Sequence, residues 1–229
     1  RDEKVIVVKR MIQRVSQVDS PVLICGESGT GKELVARMIH KQSRRADKPF
    51  IPVNCSALSA DLLERELFGY TQGAFPEASA DRPGLLESAS GGTVLLNEIG
   101  DAPQSVQVRI EHMLEENRIM PLGSYDYRPI DVRLLVTSNS DLQEAMADAR
   151  FRKELFFRVA TFQINLPPLR ERMLDLGDLV AHSLKRISTR LGRPIEGVSP
   201  EALQVLEGYN WPGNIRQLQN VLEHGAVLS

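Results

Sequence analysis

Gly26-Glu27-Ser28-Gly29-Thr30-Gly31-Lys32-Glu33 decides how this chain is read, because of what flanks it. Before it, Pro21-Val22-Leu23-Ile24-Cys25 is a short apolar strand, and after it Leu34, Val35, Met38 and Ile39 recur at helical spacing. A G-x-x-x-x-G-K loop between a strand and a helix is the context in which such a loop holds phosphate. Its glycines let successive N–H groups turn inward, the helix N-terminus adds positive potential, and Lys32 reaches the β- and γ-phosphates. A glycine turn that merely joins strand to helix is the plainer alternative, and the matching context argues against it. Glu33 stands where a Ser or Thr hydroxyl would ligate Mg²⁺, so the metal has to rely on other groups.

Outward from the loop, Val5, Val8, Ile12 and Val15 mark a helix ahead of the first strand. The charged turn Arg44-Arg45-Ala46-Asp47-Lys48 leads to a second strand from Phe50 to Val53, which completes a βαβ-like unit. Leu58 to Phe68 reads as a helix with Ser59 as N-cap, and residues 69–83 break all periodicity, as an exposed loop or insertion does. Thr93 to Asn97 is the next buried strand, Pro103 to Glu116 a helix, and Asp131 to Thr137 another strand, with a hairpin candidate between the last two. Alternating strands and helices imply a mostly parallel sheet covered on both faces. From Pro167 onward the strand signals stop, and Asp175 to Leu191, Pro200 to Glu207 and Asn214 to Leu228 read as three helices.

Composition excludes several classes. With 229 residues, 42% hydrophobic and 25% charged, the chain is neither disordered nor fibrous. A net charge of -2 removes any global field for nucleic acid, so DNA contact has to be local or lie elsewhere. Cys25 and Cys55, each in an apolar stretch, read as buried thiols in a cytoplasmic protein. No apolar run approaches the roughly 18 residues of a membrane span, and no membrane partner is expected. The start Arg1-Asp2-Glu3-Lys4 is no signal peptide, and the abrupt ends are expected of a fragment.

A metal-bearing acid is expected at the end of a later strand, and Thr93 to Glu98 is the natural place. There the first acid position holds Asn97. An amide oxygen can ligate metal or orient its water, but without formal charge it neutralises Mg²⁺ less, so affinity and hydrolysis both suffer. Glu98 is free to act as general base on an attacking water. The plainer alternative makes Asn97 a strand-end cap and Glu98 a solvated carboxylate.

The phosphate loop together with Glu66-Leu67-Phe68-Gly69, Gly73-Ala74-Phe75, Gly91-Gly92-Thr93, Glu98-Ile99-Gly100-Asp101, Leu166-Pro167-Pro168-Leu169-Arg170-Glu171-Arg172 and Trp211-Pro212-Gly213-Asn214 resembles the central AAA+ domain of bacterial enhancer-binding proteins, the NtrC-like sigma-54-dependent activators. The resemblance covers essentially the whole chain. It implies a three-layer P-loop core over residues 1–168 and an all-helical lid over 169–229, with regulatory and DNA-binding domains outside this fragment. It also implies ATP between neighbours in a ring, commonly a hexamer, or a dimer in the inactive form. Residue by residue, it implies that Asn54 is the switch holding Glu98 and that Asn139, in Ser138-Asn139, is sensor I. Arg152 and Arg158 match arginine fingers aimed at a neighbour's γ-phosphate, and Arg216 matches the lid's sensor II. A guanidinium delivered across an interface offsets charge on the transferring phosphoryl group, which gives the finger role its physical sense.

Two departures bear on function. Asn97 replaces the family's metal-associated Asp, and the sigma-54 contact loop Gly-Ala-Phe-Thr-Gly-Ala here reads Gly73-Ala74-Phe75-Pro76-Glu77-Ala78. Pro76 fixes φ and lacks an N–H, and Glu77 disfavours the positive φ a glycine adopts, so the tip differs in shape and charge. The expectation is a transcription regulator that binds ATP and oligomerises, hydrolyses ATP poorly, and acts on RNA polymerase through a factor other than sigma-54, with sigma-70 the candidate. Cyclic di-GMP, bound by some relatives near the phosphate loop, is a candidate effector. The alternatives are a working ATPase that activates sigma-54 polymerase and, against the intact loop, an inert scaffold.

Overall fold

A computed structural model describes residues 2–228, which divide into two compact units. One comprises residues 11–25 and 33–164; the other comprises residues 2–10, 26–32 and 165–228. Helix α1 (Glu3–Val15) opens the chain and buries Val8, Ile12 and Val15, as its spacing predicts.

The larger unit is built on a sheet. Its strands are β1 (Val22–Cys25), β2 (Phe50–Asn54), β5 (Thr93–Asn97), β8 (Arg133–Ser138) and β9 (Phe162–Asn165), in the order β2-β5-β8-β1-β9. The β2–β5, β5–β8 and β1–β8 ladders are parallel, with Asn54 opposite Asn97, Leu96 opposite Val136 and Cys25 opposite Ser138. Every residue of β8 and the first four of β5 are buried. Since successive side chains leave opposite faces, these central strands are covered on both sides. Helices α2 (Lys32–Lys41), α3 (Ala60–Phe68), α4 (Leu85–Ser88), α5 (Gln104–Glu116), α6 (Leu142–Ala147) and α7 (Lys153–Val159) connect them. One apolar core joins Leu23, Leu67, Phe68, Leu96, Ile110 and Leu155.

Two short antiparallel ribbons complete this unit. β3 (Gly69–Tyr70) and β4 (Arg82–Pro83) pair at the two ends of the aperiodic stretch and close it into a loop. β6 (Arg118–Ile119) and β7 (Arg128–Pro129) form the hairpin anticipated between α5 and β8. β9 has no counterpart in the sequence reading, because only Ile164 of its four residues is buried and so short an edge strand carries no apolar pattern.

The second unit is helical at its C-terminal part: α8 (Leu176–Leu191), α9 (Pro200–Glu207) and α10 (Asn214–Leu228) pack around Leu169, Leu184, Trp211 and Leu218. Among the described residues, no helix is long and apolar enough to cross a membrane.

Candidate functional site

The glycine-rich loop, residues 26–32, belongs to the second unit, and its neighbours there are residues of the 165–228 segment. Lys32 donates from Nζ to the carbonyls of Gly26 at 2.8 Å and Glu27 at 3.4 Å, so its ammonium folds over the loop. Gly29 has φ +79°, and a Cβ there would collide with the Gly213 carbonyl oxygen. No side-chain-bearing residue fits that position.

Glu27 is clamped by both arms of a guanidinium. Arg170 donates Nη1 to Oε2 at 2.9 Å and Nη2 to Oε1 at 2.6 Å, and Asn214 Nδ2 donates to Oε2 at 3.0 Å. The Arg170 hydrogen bonds first, and the Asn214 amide second, hold the carboxyl down at about 2. Asn214 is fully buried with φ 52°; its Nδ2 also donates to the Ser28 carbonyl at 3.0 Å, and its Oδ1 accepts the Leu169 N–H at 2.7 Å. Arg172 donates to the Thr30 carbonyl at 3.0 Å, and Arg216 to the Ser28 hydroxyl at 3.3 Å. The loop is therefore tied by hydrogen bonds from Arg170, Arg172, Asn214 and Arg216.

In the larger unit, the parallel ladders bring the carboxyl ends of β2, β5 and β8 to one edge, where Asn54, Asn97 and Ser138 lie. The Thr137 hydroxyl, fully buried, donates to Asn97 Oδ1 at 3.2 Å and accepts the Glu98 N–H at 3.1 Å. Glu98 has φ 56° and ψ 56°, and its Oε2 accepts the Asn139 N–H at 2.8 Å. Asn54 Oδ1 accepts both the N–H (3.1 Å) and the hydroxyl (2.9 Å) of Ser56. Glu33 pairs with Arg37 at 2.7 Å, one helical turn away. At the end of β5 the side-chain oxygens are those of the Asn97 amide and the Glu98 carboxylate. Among the described residues, no group of three or more His, Cys, Asp or Glu side chains could hold a metal.

Arg152 stands at the N-cap of α7 and Arg158 in its last turn, and both pair with α5: Arg152 Nε with Glu111 at 2.8 Å, Arg158 Nη2 with Glu115 at 2.9 Å. In the 71–81 loop, Phe75 lies edge-on to Tyr70, with ring centroids 4.7 Å apart, and the Arg65 guanidinium sits 3.7 Å over its ring. Phe75 is therefore half-buried, while Pro76 and Glu77 are exposed at the tip.

Sequence reasoning missed Thr137, the link between Asn97 and Glu98, since a buried threonine within a strand carries no signal of its own. It also quoted Arg170, Arg172 and Asn214 only as parts of motifs. Arg170 and Arg172 lie in the charged run Arg170-Glu171-Arg172 and Asn214 follows Pro212-Gly213, so nothing in their local sequence marks them as partners of the 26–32 loop.

A family model described as the sigma-54 interaction domain matches residues 1–165, and one described as the AAA+ ATPase lid domain matches residues 170–229. The sigma54-dependent transcriptional regulator SfnR of Pseudomonas fluorescens is 45% identical over 217 residues, covering 95% of this chain and 59% of that protein. The regulatory protein AtoC of Escherichia coli is 44% identical over 216 residues, covering 94% and 47% respectively. The chain thus spans less than two thirds of either. The crystal structure of NtrX from Brucella abortus matches with a TM-score of 0.93 at 34% identity, over 100% of this chain and 51% of that one. The same protein in complex with ATP matches at 0.91, also at 34% identity, over 99% and 51%.

Proposed function

This chain belongs to the sigma-54 interaction domain family, with an AAA+ ATPase lid domain after it, and from that premise we propose that it is the ATP-binding, self-assembling part of a bacterial transcription regulator with feeble ATP hydrolysis. The division proposed is an α/β core over 1–168 and a helical lid over 169–229, which the two matched ranges support. Residues 26–33 hold the phosphates: loop N–H groups and Lys32 take the charge, and Arg216 adds a second cation beside Ser28. NtrX, solved with ATP, supports the choice of nucleotide.

Asn97 is the observation that carries weak turnover. Its amide oxygen already accepts the Thr137 hydroxyl and has no formal charge. Asn97 and Glu98 would hold Mg²⁺, which neutralises phosphate charge when bound, and this donor set fits it only through water and weakly. Glu98, oriented by the Asn139 N–H, is the general base for water, with Asn54 as its switch. Arg152 and Arg158 serve a nucleotide bound by a neighbouring copy in a ring.

The loop tip carries the second part of the reading. Pro76 and Glu77 are exposed where a polymerase-bound factor would be met, and their rigidity and charge disfavour sigma-54. The regulator then acts on RNA polymerase through another factor, with sigma-70 the candidate and DNA contact left to a segment outside residues 1–229. No residue cluster is assigned to cyclic di-GMP, which enters only as a ligand to titrate. Family membership itself favours the second reading, an ATPase that activates sigma-54 polymerase.

Steady-state ATP hydrolysis with Mg²⁺ at high protein concentration, beside fluorescent-nucleotide binding, separates the two. Tight binding with little turnover, and turnover raised in Asn97→Asp, is the expected result. Brisk turnover by the unaltered protein, with open-complex formation on a sigma-54 promoter, overturns it.

A further inference from the structure

Helix α5 carries Gln107, Glu111 and Glu115 four residues apart, so all three side chains lie on one face. Each takes hold of the segment bearing Arg152 and Arg158. Gln107, fully buried, donates from Nε2 to the carbonyls of Ala102 at 2.8 Å and Arg150 at 3.0 Å, and its Oε1 accepts the Arg152 N–H at 2.9 Å. Glu111, only 9% exposed, accepts the Arg152 Nε–H at 2.8 Å. Glu115, exposed, takes a terminal nitrogen of Arg158, Nη2, at 2.9 Å.

The two arginines differ in which nitrogen is occupied. Held through Nε, Arg152 keeps its terminal edge for an anion; Glu154 stands 3.9 Å from Nη2, beyond hydrogen-bond reach. Arg158 has part of its terminal edge occupied by a solvent-exposed carboxylate, a pair that is cheap to break. A backbone pinned by a buried amide and a side chain pinned by a buried carboxylate leave Arg152 few rotamers, which is what pre-organisation requires.

We infer that Glu111, with Gln107 behind it, is the positioning residue of Arg152, presenting the arginine's terminal nitrogens as a fork to the phosphoryl group of a nucleotide bound by a second copy of this chain, whereas Arg158 engages only after releasing Glu115. The inference rests on the reading of Arg152 as a group that serves a neighbour's nucleotide.

The test is assembly driven by ADP–aluminium fluoride with Mg²⁺, a stand-in for the transferring phosphoryl group, followed by sedimentation velocity over a range of protein concentrations. Arg152→Ala and Glu111→Ala are each expected to raise the concentration for half-assembly by about tenfold. Glu111→Gln, which keeps an acceptor, recovers part of that loss, and Glu111→Ala adds nothing in an Arg152→Ala background. Binding of fluorescent ADP to the dilute protein is expected to stay unchanged in Glu111→Ala and Glu111→Gln, a readout that a folding defect would move. Wild-type assembly that ignores ADP–aluminium fluoride, or an Arg152→Ala protein that assembles normally, overturns the finger reading itself. An Arg152→Ala defect with normal Glu111→Ala assembly leaves that reading standing and overturns the positioning role. So does a Glu111→Ala protein that loses nucleotide binding or whose defect adds to that of Arg152→Ala.

Discussion

Glu98 occupies the left-handed region with φ 56°, a conformation that costs a residue bearing Cβ about 1–2 kcal/mol. Hydrogen bonds hold it there, among them its N–H to Thr137, its Oε2 from Asn139 and its carbonyl from the Asp101 N–H. Thr137→Val removes the acceptor of the Glu98 N–H and the donor to Asn97 at once, in a fully buried place. A loss of about 1–3 kcal/mol is expected, read from the urea midpoint. Glu27 gives a pH prediction. Its carboxyl sits at about 2 when folded against an ordinary 4.5, so the Arg170 and Asn214 bonds contribute fully above pH 4.5 and fade as pH falls toward 2. Because the pair is substantially exposed, the effect on stability is small and screened by salt. Arg170→Ala is expected to flatten the acid limb of the melting temperature between those pH values. Cys55 is buried, and burial first, then the nearby Asp101 and Glu98 charges, push its thiol up to about 12. Alkylation at neutral pH is expected to spare Cys55 in the folded protein, as peptide mass mapping would read.

Strands were the more legible elements. Val22–Cys25 and Thr93–Asn97 coincide with the apolar runs that announced them, because a strand buried on both faces has to be apolar throughout. Leu95→Ala, in the middle of β5 and fully buried, is expected to cost about 2–5 kcal/mol, measured by urea unfolding. The 69–83 stretch was legible only as a break in periodicity. Its closing ribbon pairs Gly69 with Pro83 and Tyr70 with Arg82, and its aromatic anchor Phe75 rests on Arg65 in the preceding helix, partners that no spacing rule joins. Arg65→Ala is expected to speed protease cleavage within residues 71–81 while leaving the far-UV spectrum unchanged. Equal cleavage rates would show that Tyr70 alone secures the ring.

At the scale of the molecule, the chain divides its apolar residues between two cores, one around the sheet and one among α8, α9 and α10. Its single tryptophan, Trp211, is 2% exposed in the second core and donates its indole N–H to the Leu206 carbonyl at 2.9 Å. Tryptophan fluorescence therefore reports the helical unit, whereas far-UV dichroism reports both. Leu95→Ala is expected to move the dichroism midpoint in urea further than the fluorescence midpoint; equal shifts would mean that the units unfold as one. The sequence by itself determined the alternation of strands and helices, the glycine-rich loop between β1 and α2 and the family, since periodicity and local motifs are properties of neighbouring residues. Tertiary structure alone decided that Thr137 links Asn97 to Glu98, that Arg170 and Asn214 clamp Glu27, and that α5 holds Arg152. Those partners lie far apart along the chain, and only folding the backbone brings their polar atoms to within 3 Å or so of one another.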